Sequence, residues 1–116
     1  MHELSIAESI CRSVSDRVGN GRVEEMVVEV GALSGVNADS LEFCLGEVAR
    51  LQEVLLDRFV IERVPARAEC SCGHTYEARD LLEPCPKCGG FSRSFVGGED
   101  IVISRLVLVE DDDETR

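Results

Sequence analysis

Apolar residues recur at three- and four-residue spacing through the first eighteen positions: Leu4, Ala7, Ile10, Cys11, Val14 and Val18, with Glu8, Arg12, Asp16 and Arg17 mostly between them. That period predicts an amphipathic helix with one face toward a core. Ser5 and Glu8 have the spacing of a capping box, and Gly19-Asn20-Gly21 marks the stop. From Val23 to Val30 the period changes to two. Met26, Val28 and Val30 alternate with Glu25 and Glu29, as a half-buried strand requires. Residues 31–35 read as a loop, and Asn37-Ala38-Asp39 leads into a second helix. Asp39 with Glu42 offers another capping box, and Leu41, Cys44, Leu45, Val48 and Leu51 make its buried stripe. A strand from Phe59 to Val64 stops at Pro65. Apolar periodicity then fades between about 67 and 97. After Gly97-Gly98, the run Ile101 to Val109 reads as a strand apolar on both faces, which predicts central burial.

The order is helix, strand, helix, strand, an irregular segment, then a strand that returns to the first body. This predicts an α+β fold: a small three-stranded sheet with two helices, interrupted near its end by an inserted module. The expected boundaries are residues 1–66 with 98–110 for the first body, 67–97 for the insertion, and 111–116 for an acidic tail that is solvated and disordered. A hydrophobic content of 44% with four Phe, one Tyr and no Trp makes the expected core aliphatic.

Cysteine decides what the insertion is. Cys70 and Cys72 in CSCGH, and Cys85 and Cys88 in CPKCGG, form two close pairs with twelve residues between them. Two short knuckles supply the four deprotonated ligands of a tetrahedral Zn²⁺ site. Gly73, Gly89 and Gly90 follow the pairs, where a chain folding around a metal often needs positive φ. The first pair has one intervening residue instead of the usual two, and His74 is near enough to be the alternative fourth ligand. Four thiolates leave no open position, so such a site is structural. A segment this poor in apolar residues needs the metal to fold. Cys11 and Cys44 lie on the helical stripes and read as small buried hydrophobes.

Charge and termini narrow the setting. The formal net charge of −11 argues against nucleic acid, whose binding rests on Lys and Arg. The polar start at His2-Glu3 carries no export signal, and no run of about 18 apolar residues could span a membrane. The cytoplasm is therefore expected, where paired cysteines read as metal ligands and not as disulfides.

His2 introduces a second metal. With a free terminus, the Met1 amine, the backbone nitrogen and imidazole of His2, and the backbone nitrogen of Glu3 can enclose one ion. Ni²⁺ and Cu²⁺ favour such tetragonal nitrogen sites and Zn²⁺ does not.

The stretches Met1-His2-Glu3-Leu4-Ser5, Val30-Gly31-Ala32-Leu33-Ser34 and Ser40-Leu41-Glu42-Phe43, followed by the paired cysteines, resemble the HypA/HybF family of hydrogenase nickel-incorporation proteins. The resemblance covers almost the whole chain outside the acidic tail. It implies a non-catalytic nickel metallochaperone for [NiFe]-hydrogenase maturation, with Ni(II) as transient cargo and Zn(II) as structural metal. His2 would be the essential nickel ligand, aided by the Met1 amine and the backbone of Glu3, whose side chain orients or supplements the site. Cys70, Cys72, Cys85 and Cys88 match the family's zinc ligands, in a zinc-ribbon-like insertion. The implied partners are a HypB-type GTPase and the hydrogenase large subunit precursor, with no nucleic acid and no membrane, for a monomer or homodimer. The one-residue gap of Cys70-Ser71-Cys72 departs from the family's usual two. The competing class is a zinc-ribbon protein–protein adaptor without nickel, which explains the cysteines but not the position of His2. No Ser/His/Asp constellation or phosphate-binding glycine loop suggests an enzyme.

Overall fold

Strand β1 (Arg22–Gly31) is the axis of the first sheet, and its residues Met26, Val28 and Val30 are buried on one face. The coordinates are a computed structural model that describes residues 2–109. The expected acidic tail, 111–116, lies outside the described residues. Four strands make the sheet: β2 (Leu55–Leu56) and β3 (Phe59–Val64) run parallel to β1, and β7 (Ile101–Leu108) runs antiparallel to it. Arg22 pairs with Leu55 and Met26 with Phe59 at the same offset. The bonds Asp57 N–H to Val23 O, 2.8 Å, and Met26 N–H to Arg58 O, 3.0 Å, carry the ladder across the gap. β2 and β3 are thus two pieces of one line of chain, so the sheet keeps the three-lane plan that the sequence predicts.

Parallel β1 and β3 need a crossover, which α2 (Ala38–Leu51) supplies. Helix α1 (Glu3–Val18) packs on α2, and both close the core over Val23, Met26, Val28 and Val30. Ala7, Ile10, Cys11 and Val14 face inward from α1, as their spacing predicts. The stripe of α2 is Leu41, Leu45, Val48 and Ala49, with Cys44 half-buried. Leu4 and Leu51, read as stripe residues, are 55% and 72% exposed because they sit in the terminal turns, past the body they would pack on.

The caps also differ from expectation. Helix α1 begins at Glu3, ahead of Ser5, with His2 at its N-cap. Asn37, not Asp39, caps α2, its side chain accepting the Ser40 N–H at 2.9 Å. Asp39 lies inside the first turn, where its charge suits the helix dipole, and accepts from Arg63 at 3.0 Å.

Expected central burial of the last strand is corrected: among the described residues β7 pairs with β1 alone, and Val102 and Leu108 are exposed. Two bulges sort its neighbours. Val23 pairs with Leu108 and Glu25 with Val107, so Glu24 is an extra residue. It lets Val23 and Met26 share the buried face, although three residues apart. Across the sheet, Val27 pairs with Arg105 and Val28 with Ile103, leaving Ser104 extra. That bulge brings Ile101, Ile103 and Leu106 together against the core.

A second, antiparallel sheet has the order β5-β4-β6, from β4 (Ala66–Cys70), β5 (Thr75–Ala78) and β6 (Arg93–Val96). Its buried hydrophobic residues are Ala66, Ala68, Cys70 and Ala78, together with Cys85 from the following loop. Side chains this small leave no apolar alternation to read, which hid the three strands. The two sheets meet where Leu33 N–H donates to Gly98 O at 2.7 Å and Gly31 N–H to Asp100 O at 2.9 Å. A Cβ on Gly31 would overlap the Gly98 carbonyl, and one on Gly98, at φ +78°, would stand 2.6 Å from the Ala66 Cβ. The radius of gyration is 18.0 Å, against about 13 Å for one compact body of this length.

Candidate metal centre

The first cysteine knuckle is the turn of the β4–β5 hairpin. Cys70 N–H donates to His74 O at 2.9 Å, and Gly73 N–H closes back on Cys70 O at 2.9 Å. Gly73 adopts φ +97°, which lets the chain reverse after a single intervening residue. The second knuckle spans 85–90: Gly89 N–H donates to Cys85 O at 2.8 Å and Cys85 N–H to Gly90 O at 3.0 Å, with Gly89 at φ +73°. Gly90 does not take positive φ. Its N–H donates to Cys88 Sγ at 3.3 Å, and a Cβ there would press on the same sulfur. A bond from Ser71 N–H to Ser92 O, 2.8 Å, ties the knuckles together.

These turns bring the sulfurs of Cys70, Cys72, Cys85 and Cys88 within 4.8 Å of one another. Cys70 and Cys88 are 3.5 Å apart at Sγ, and Cys72 and Cys85 3.8 Å. Metal–sulfur bonds of about 2.3 Å in a tetrahedron give edges of about 3.8 Å, so the donor set fits such an ion. Cys70 and Cys85 are buried while Cys72 and Cys88 face solvent. His74 stands outside this group, its ring stacked on Tyr76 at 6.1 Å.

The thiols do not ionise alike. Burial raises the Cys85 thiol, but the N–H groups of Cys88 and Lys87 and the neighbouring thiols outweigh this and lower it to about 7. At Cys88 the Gly90 N–H favours the thiolate, yet the thiols of Cys70, Cys72 and Cys85 push it up to about 11. So many thiols at one point cannot all lose their protons unless a cation replaces them. Cys11 is buried in the core and its thiol is raised by that burial, as suits an inert packing residue.

At the other end, His2 is exposed, with φ −132°, and its side chain makes no capping bond. Its carbonyl accepts the Ile6 N–H at 2.9 Å. The imidazole is thus displayed at a helix start, while the backbone holds its residue in place. Met1 lies outside the described residues. The Glu3 carboxylate accepts the Asn37 N–H at 2.9 Å, joining the start of α1 to the cap of α2. The positive chain terminus first, and the Asn37 N–H next, hold its carboxyl down to about 2. Neither Asn37 nor Arg63 was singled out as part of this end by the sequence, since both act across more than twenty residues and follow no period.

Comparison with known proteins follows the same lines. Residues 1–108 match the model of the family described as "Hydrogenase/urease nickel incorporation, metallochaperone, hypA". The chain is 41% identical over 109 residues to the hydrogenase maturation factor HypA of Geobacter metallireducens, covering 91% of this chain and 97% of that one. It is 37% identical over 113 residues to the factor of the same name from Geotalea daltonii, covering 94% and 100%. The fold is similar to the solution structure of the Ni metallochaperone HypA from Helicobacter pylori, with a TM-score of 0.56 at 21% identity, covering 94% of this chain and 98% of that one.

Proposed function

Because the chain belongs to the HypA family of hydrogenase maturation factors, we propose that it carries Ni(II) at its N-terminus and delivers it during [NiFe]-hydrogenase maturation. A free Met1 amine, the backbone nitrogen and imidazole of His2, and the backbone nitrogen of Glu3 form the nickel site. Cys70, Cys72, Cys85 and Cys88 hold a structural Zn(II). The observation that carries the reading is His2 itself: second in the chain, exposed at the start of α1, and uncommitted as a cap. A carrier needs such an open site, because a partner must reach the metal and remove it. The four-thiolate set is the opposite, closed and suited to holding a fold.

Residues 1–66 with 98–110 act as the nickel-binding domain and 67–97 as the zinc module. The delivery partners are a HypB-type GTPase and the hydrogenase large subunit precursor, and the setting is the cytoplasm. Among the described residues no helix is long and apolar enough to cross a membrane.

The test is a Ni²⁺ titration of untagged protein beside His2→Ala, with metal content measured in both. One zinc in each and nickel bound by the parent alone is the expected result. Equal nickel binding in both would remove the N-terminal site and leave a zinc-stabilised adaptor. Acidification should weaken nickel binding, since protons compete for the amine and imidazole. A flat affinity from mildly alkaline to mildly acidic pH would contradict this donor set.

A further inference from the structure

A groove of about 680 Å³ lies between α1 and β7, and neither metal site uses it. Ile6, Ile10 and Val14, one line along α1, face Ile101, Ile103 and Leu106 of β7 across it. The Ser104 bulge gathers these three β7 residues on the groove side. On its far side β7 has no strand partner among the described residues, so the eight-residue strand presents a free edge of backbone donors and acceptors.

The chain has 23 Asp and Glu among 116 residues, yet none of the twelve residues lining the groove is acidic. Two are arginines, Arg17 and Arg105. Arg105 also meets Glu25 at 3.2 Å, while Arg17 makes no ion pair among the described residues. The result is an apolar trough with a cationic rim at Arg17, on an anionic protein.

We propose that this groove receives an extended segment of a partner polypeptide, apolar at alternate positions and acidic at its flank, which adds as a strand to the free edge of β7. Backbone hydrogen bonds to β7 supply sequence-independent affinity. Alternate side chains of an added strand point to one face, and here that face is the trough under α1. The acidic flank meets Arg17, since Arg105 is already engaged by Glu25. A second copy of this chain is a poorer occupant, because symmetric pairing of β7 sets one cationic rim against the other. A docked helix would leave the strand edge unpaired.

Selection of a displayed library of ten-residue peptides on the full-length, zinc-loaded chain tests this. The expected peptides alternate β-branched or aromatic residues with polar ones and carry Asp or Glu at one end. Their binding should protect β7 backbone amides from hydrogen exchange. Arg17→Glu should weaken them by about three- to tenfold, and Lys-flanked versions of the same peptides should regain affinity for that variant. Ser13→Trp, at an exposed position on the groove wall, should block them while the far-ultraviolet spectrum and Ni²⁺ titration stay unchanged. No enrichment, a helical period in the winners, protection away from β7, or indifference to both variants would each overturn the proposal. Self-association that competes with the peptides would overturn it in favour of a second copy.

Discussion

Glu3 is held by contacts that reach beyond its own helix. Its carboxylate receives the Asn37 N–H, and Asn37 in turn caps α2 through Ser40. The residue after the proposed nickel ligand is therefore fastened to a second helix, which limits how far the exposed His2 can wander. The carboxyl is lowered from 4.5 to about 2. A depressed folded value means its contribution is complete above 4.5 and is lost as pH falls from there through about 2. The Asn37 amide resonance should then titrate with a midpoint near 2, and Glu3→Gln should abolish that transition. Because the positive chain terminus lowers this carboxyl most and the Asn37 N–H next, a midpoint at the ordinary carboxylate value would mean that neither contact holds it in solution. The convergence of the four cysteines was legible because their pattern is local, in pairs one or two residues apart. The Glu3–Asn37 bond was not, since no periodicity connects residues 34 apart.

At the scale of elements, hydrophobic period told most of the story. β3 runs from Phe59 to Val64, where the sequence places it, because Pro65 ends the run. What the period could not tell was where it would be broken on purpose. The extra residues Glu24 in β1 and Ser104 in β7 each reset the alternation of their own strand by one, so the apolar run of β7 does not require a central place. The sheet of β4, β5 and β6 escaped notice because alanine and cysteine fill its interior. Helix α2 carries a test of its own. Gly46 is exposed at mid-helix, with open space where a Cβ would go. Gly46→Ala should stabilise the first body by about 1 kcal/mol, through helix propensity alone. Urea denaturation would show this as a shifted midpoint at constant slope. A loss of stability would mean that Gly46 faces something in solution, such as a partner or a second copy.

For the whole molecule, the two sheets rest on different sources of stability. The first buries Met26, Leu41, Leu45 and five valines between helices and strands. At about 25 cal/mol per Å² of apolar surface, side chains of that size can support an autonomous core. The second buries three alanines and two of its own metal-ligand candidates, Cys70 and Cys85. Alanine burial returns little, so the ordering entropy of this module must be offset by bonds to a metal. Removing the ion should therefore unfold β4–β6 and leave α1, β1 and α2 intact. Hydrogen exchange before and after chelation reads this directly: amides of 66–96 should lose protection while those of 23–30 and 41–49 keep theirs. Cys85→Ser should give the same split. Because the ligands must give up protons, acid should release the metal, and the module should melt at a higher pH than the first body. The junction adds one condition. Gly31, Gly98 and Ala66 touch through backbone, so melting of the module should propagate to the Leu33–Gly98 bond and stop at β1. Cooperative loss of both sheets on chelation would show that the metal holds the whole fold, and would refute a division of stability between core and ion.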